Sequence, residues 1–127
     1  RVRALKIRLV KAFRDARLTA DTRKVEYLPT YHRLHDDIHA LASGSSNEHF
    51  VHSNINKLVN EAAGVEAGQR ATAPLAKLSM LAVGQTLAAN ALHGATGYQD
   101  GYQRIKRVLQ AFEAMAQQLQ LDGDNHG

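Results

Sequence analysis

The residues best suited to chemistry lie in one short run, His32-Arg33-Leu34-His35-Asp36-Asp37-Ile38-His39. Each helical residue advances about 100°, so His35, His39 and His32 fall within an arc of about 60°, with Asp36 at its edge. His35 and His39 have the i, i+4 spacing by which one helix offers two imidazoles to a metal such as zinc. A metal-dependent hydrolase centred on His35, Asp36 and His39 is therefore one reading of the run, although no glutamate of the zincin pattern stands between the two histidines. The other is a polar flank beside the apolar stripe Tyr31, Leu34, Ile38 and Leu41, since histidine is common at helix boundaries without ligating anything. The chain has no cysteine, which excludes thiolate metal sites and disulfides. No cofactor is expected.

Two further sets carry polar chemistry. Asparagine is a poor helix former, so Asn54, Asn56 and Asn60 on one short helix point to side chains kept for hydrogen bonding. With Gln69 and Arg70 of the following loop they form either a partner-binding surface or a structural set that caps a helix and satisfies the loop; Gly68-Gln69-Arg70 is too short for a phosphate loop. The second set is basic. Residues 1–24 hold nine Lys or Arg against Asp15 and Asp21, a charge of +7, which leaves −3 for the rest of a chain of net charge +4. Arg3, Lys6, Arg8, Lys11 and Arg14 are numerous enough to displace counterions from phosphates, and an accessory nucleic-acid-binding domain is the alternative function. They surround the helix broadly and no helix-turn-helix follows, so direct base readout has no support. No serine-histidine-acid set, phosphate-binding glycine loop or pair of carboxylates in an apolar setting is legible. The function expected is non-enzymatic.

The elements that must position these groups are helical. The 127 residues suit one domain with one core. An apolar share of 44% that leans on alanine and leucine, with two prolines, favours an all-α fold. No apolar run approaches the roughly 18 residues of a membrane span, and Arg1-Val2-Arg3 opens no signal pattern, so a cytoplasmic protein without a membrane partner is expected. Val2, Leu5, Leu9, Phe13, Ala16 and Ala20 recur at helical spacing and predict a first helix over about 2–26. Pro29 suits the first turn of a second helix, ended by Ser43-Gly44-Ser45-Ser46-Asn47. A third, over about 48–63, buries Val51, Ile55, Leu58, Val59 and Ala62 and closes at Gly64. The longest loop follows, and Pro74 restarts a fourth helix over 75–92, apolar on nearly every face and so central to the bundle. Gly84, Ala88 and Ala91 would admit a neighbouring backbone closely. Tyr98, Tyr102, Ile105, Leu109, Phe112, Ala116 and Leu119 form a coiled-coil-like seam in a fifth helix that ends near Gln120.

The expected architecture is thus a helical bundle of about five helices with a long basic N-terminal helix: residues 1–27 a basic linker helix, 28–120 the bundle, and 121–127 a disordered tail. Part of the first stripe is left uncovered by so few helices. Large apolar patches rarely stay in water, so a homodimer or higher oligomer through Leu5, Leu9 and Phe13 is predicted.

Two stretches resemble a known family. Lys6-Ile-Arg-Leu-Val-Lys-Ala-Phe-Arg-Asp-Ala-Arg17 resembles the closing helix of the Rha-type regulatory domain of temperate phages and prophages. The run Leu28-Pro-Thr-Tyr-His-Arg-Leu-His-Asp-Asp-Ile-His-Ala-Leu-Ala42, through Val65-Glu-Ala-Gly-Gln-Arg-Ala-Thr-Ala-Pro74 to Gly101-Tyr-Gln-Arg-Ile-Lys106, is similar to the helical extension of such antirepressor-like proteins. The resemblance implies the C-terminal part of a phage regulator in a bacterial host's cytoplasm, downstream of a regulatory module. Its implied partner is a protein such as a repressor, and it carries over no catalytic residue.

Overall fold

The computed structural model describes residues 2–126, with side chains over 4–119. All of its regular elements are helical, and no strand occurs among the described residues. Helix α1 covers residues 2–42 without interruption: an α-helical stretch Val2–Thr22, one π-helical turn Arg23–Tyr27, and a second α-helical stretch Leu28–Ala42. The first two predicted helices are therefore one, and among the described residues the bundle has four helices instead of about five. Pro29 is the reason a break is predicted and the reason a π turn appears. Its ring clashes with the carbonyl of Val25 four residues earlier, and it has no N–H to donate. One extra residue in the turn relieves the clash, and the Leu28 N–H bonds the Arg23 carbonyl five residues back.

Three helices follow, α2 (Glu48–Ala63), α3 (Leu75–Leu92) and α4 (Tyr98–His126). Glycine closes the first of these and proline precedes the second. Gly64 adopts φ +67°, and the Val65 N–H reaches the Asn60 carbonyl at 2.9 Å, closing α2 in the left-handed manner that glycine permits. Pro74 precedes the first residue of α3 in extended conformation. The loop between them contains a 3-10 turn, Arg70–Thr72. Helix α4 continues to His126, so neither an end near Gln120 nor an irregular stretch over 121–126 is seen; Gly127 lies outside the described residues.

Helix α3 packs against all three others and is the centre of the bundle, as its apolar composition requires. Leu78 and Leu81 are fully buried there, against Leu34 and Ile38 of α1, Ile55 of α2 and Ile105 of α4. Val83 departs from the expected enclosure: it is exposed beside Val25. A Cβ added at Gly84 would meet Val59 at 3.4 Å, an ordinary contact, whereas one at Gly101 would lie 2.7 Å from Leu92 and 3.0 Å from Leu41. Gly101 is thus the residue that lets α4 approach α1 and α3 closely.

These contacts also set directions. The end of α3 at Leu92 meets Gly101, and Gly84 meets Leu109, so α4 runs antiparallel to α3. At the start of α3, Arg23 of α1 donates to the Arg70 carbonyl at 3.0 Å. The N-terminal stretch of α1 and the C-terminal stretch of α4 consequently leave the bundle at the same end. Among the described residues, Tyr27 is the first with a buried side chain. Thr19, Thr22 and Arg23 are half-buried, and the described side chains before Thr19 are all exposed; that stretch is an arm. No helix is long and apolar enough to cross a membrane among the described residues.

Candidate functional site

The loop after α2 is tied down by one guanidinium. Arg70 Nε donates to Asn60 Oδ1 at 2.6 Å, and its Nη atoms donate to the Tyr27 hydroxyl (3.3 Å), Gln85 Oε1 (3.1 Å) and the Asn56 carbonyl (3.2 Å). Gln85 is fully buried in α3, and its amide donates to the Tyr27 carbonyl at 3.2 Å and to Thr30 Oγ1 at 2.8 Å. A buried amide needs such partners. The network joins the π turn of α1, α2, the loop and α3. Asn54 lies elsewhere and donates to the Tyr98 hydroxyl at 3.2 Å, while Gln69 is exposed beside Thr72. Asn54, Asn56, Asn60 and Arg70 are thus half-buried and Gln69 is exposed; Arg70 and Asn60 are engaged within the chain, with Asn54 and Gln69 outside that network. Arg70 reaches Gln85 because the buried amide oxygen needs a donor, and Asn60 accepts from the same guanidinium.

The histidines are brought together across the turn at 43–47. His35 and His39 share a face of α1, and α2 supplies His52 and Glu48. The His35 and His52 rings stack with centroids 4.0 Å apart, and Glu48 accepts from His39 Nδ1 and lies 3.5 Å from His52 Nε2. Burial and the neighbouring His35 hold the His52 imidazole below its ordinary value of 6.5, against the opposing pull of Glu48. The hydrogen bond from His39 holds the Glu48 carboxyl below 4.5. Asp36 is exposed and adds no contact, being about 100° round the helix from His35. No group of three or more His, Asp or Glu among the described residues is arranged to hold a metal ion, so the set His35, Asp36 and His39 is not assembled. Glu48 and His52, themselves four apart, are the members that sequence reasoning missed.

The arm presents a different surface. Leu5, Leu9 and Phe13 are 59%, 52% and 74% exposed, and Ile7, Val10 and Leu18 are exposed with them. Lys6, Arg8, Lys11 and Arg14 are exposed on the same stretch, and the ion pairs among the described residues involve none of them. The side chain of Arg3 lies outside the described residues. At the other terminus the α4 seam is buried at Ile105, Leu109 and Phe112 and then emerges, Met115 being 59% and Leu119 66% exposed. The seam is thus internal core in its middle and open at its end. No protein-family model matches the chain, and neither a curated protein nor a solved structure matches it.

Proposed function

We propose that this chain is a non-enzymatic interaction and oligomerisation module. The bundle is a mount, the α1 arm is the docking element, and Leu5, Leu9 and Phe13 join chains into a dimer or a higher oligomer. The observation that carries this reading is the exposed apolar row on a helix whose root is held by Arg23, Tyr27 and the Arg70 network. Apolar rows of this kind in water mark association surfaces. In the regulatory role implied by the resemblance to phage antirepressor-like proteins, the same module takes a protein partner such as a repressor in a bacterial cytoplasm. Light scattering at micromolar concentration tests the assembly. A dimer or larger species is expected, and a monomer overturns the reading. Leu9→Glu is expected to give a folded monomer, because Leu9 is half exposed within one chain and its replacement opens no core.

The exposed cations of the arm favour a second reading, nucleic-acid binding. It requires DNA retention that falls with salt and is lost on Arg8→Glu with Lys11→Glu. Retention unchanged by these substitutions rules it out.

A further inference from the structure

The charge of this chain sits at its two ends. Residues 1–24 carry +7, residues 25–107 hold seven basic and seven acidic side chains, and residues 108–127 hold Glu113, Asp122 and Asp124 with no Lys or Arg. The bundle between is neutral. The same two ends carry the open apolar rows, Leu5, Leu9 and Phe13 on the arm and Met115 and Leu119 on α4. Pairing two arms would set +7 against +7 within the roughly 10 Å over which charges act at 0.1 M salt. Pairing an arm with the end of α4 sets cations beside carboxylates and apolar row against apolar row.

Resting on the assembly reading above, we infer that the arm's occupant is the acidic end of α4 in a second copy of this chain. Both ends leave the bundle on the same side, so two copies meeting end to end bring each arm alongside the other copy's α4. Opposed copies place the two helices parallel, and Leu9 and Phe13, four residues apart, match the four-residue spacing of Met115 and Leu119. The exposed stretch of the arm, residues 4–18, is about 22 Å long, enough to lie along the three to four turns of residues 113–126. A two-fold axis makes the junction twice, so that one short pairing is reinforced by its symmetry mate.

The absence of cysteine makes a direct test possible. Leu9→Cys, Phe13→Cys, Met115→Cys and Leu119→Cys are prepared as single variants of the full chain, all at exposed positions. Each is oxidised alone and in mixtures. Leu9→Cys mixed with Met115→Cys, and Phe13→Cys mixed with Leu119→Cys, are expected to give disulfide-linked dimers that the separate variants do not. In parallel the dimer's Kd, by light scattering, is expected to rise about tenfold between 50 and 500 mM salt, as screening weakens opposite charges. A dimer that cross-links arm to arm, or that tightens with salt, overturns this inference and leaves the assembly reading standing. A dimer without cross-links in either mixture also overturns it. A wild-type monomer overturns both.

Discussion

The two halves of α1 carry similar apolar rows on one continuous helix, yet Leu34 and Ile38 are 1% exposed while Leu9 and Phe13 are 52% and 74% exposed. The pattern is the same, and the difference is what lies alongside. After Tyr27 the helix has α3 to pack on and its row becomes core; before Thr19 every described side chain is exposed, and the row has no cover within the chain. A helical period therefore shows that a face is suited to burial, and says nothing of which molecule buries it. The polar positions divide the same way. Beyond the π turn they are drawn into networks around Gln85 and Glu48, whereas Lys6, Arg8, Lys11 and Arg14 stay in solvent.

Substitutions sharpen this contrast. Leu81→Ala removes a fully buried side chain from the central helix and is expected to cost about 2–5 kcal/mol in denaturant unfolding. A loss below about 0.5 kcal/mol, the scale of ordinary surface changes, would break the distinction from the bundle side. Arg70→Ala leaves Gln85 Oε1 and Asn60 Oδ1 short of a donor in a partly dry site and is expected to cost about 2–4 kcal/mol. Indifference to it would mean that the loop is held by something other than this guanidinium.

The pH effect is smaller and belongs to the junction of α1 with α2. His52 is depressed in the folded chain, so the unfolded chain binds more protons as pH falls through 6.5 and stability declines there. Glu48 is depressed too, so its contribution is present above 4.5 and is lost as pH falls through its lower folded value. His52→Gln should flatten the upper step in pH-dependent thermal melts. A Tm that rises on acidification across that step contradicts the assignment. Smallest of all, Leu9→Ala should change unfolding stability, measured under conditions that keep the chain monomeric, by less than about 0.5 kcal/mol, as for other exposed sites. A cost like that of Leu81→Ala would show that the arm folds back onto its own bundle.

By itself the sequence determined that the chain is all-helical, where α2 and α3 begin and end, and that α3 is central. Those properties are local: glycine at Gly64 accepts a positive φ, proline at Pro74 opens a helix, and an apolar run such as Leu75 to Leu92 needs enclosure on most sides. Tertiary structure decided the rest. Whether Pro29 starts a helix or sits inside one depends on the π turn before it, and that turn is held by Arg23 and Tyr27 bonding a loop more than 40 residues away. Whether Arg70 and Asn60 face a partner or the interior depends on Gln85, and whether His39 meets Asp36 or Glu48 depends on how α2 folds back across residues 43–47. Spacing along a chain fixes which groups share a face of one helix. Only packing brings groups from different helices within hydrogen-bonding distance, and only packing leaves the row of Leu5, Leu9 and Phe13 without a cover of its own.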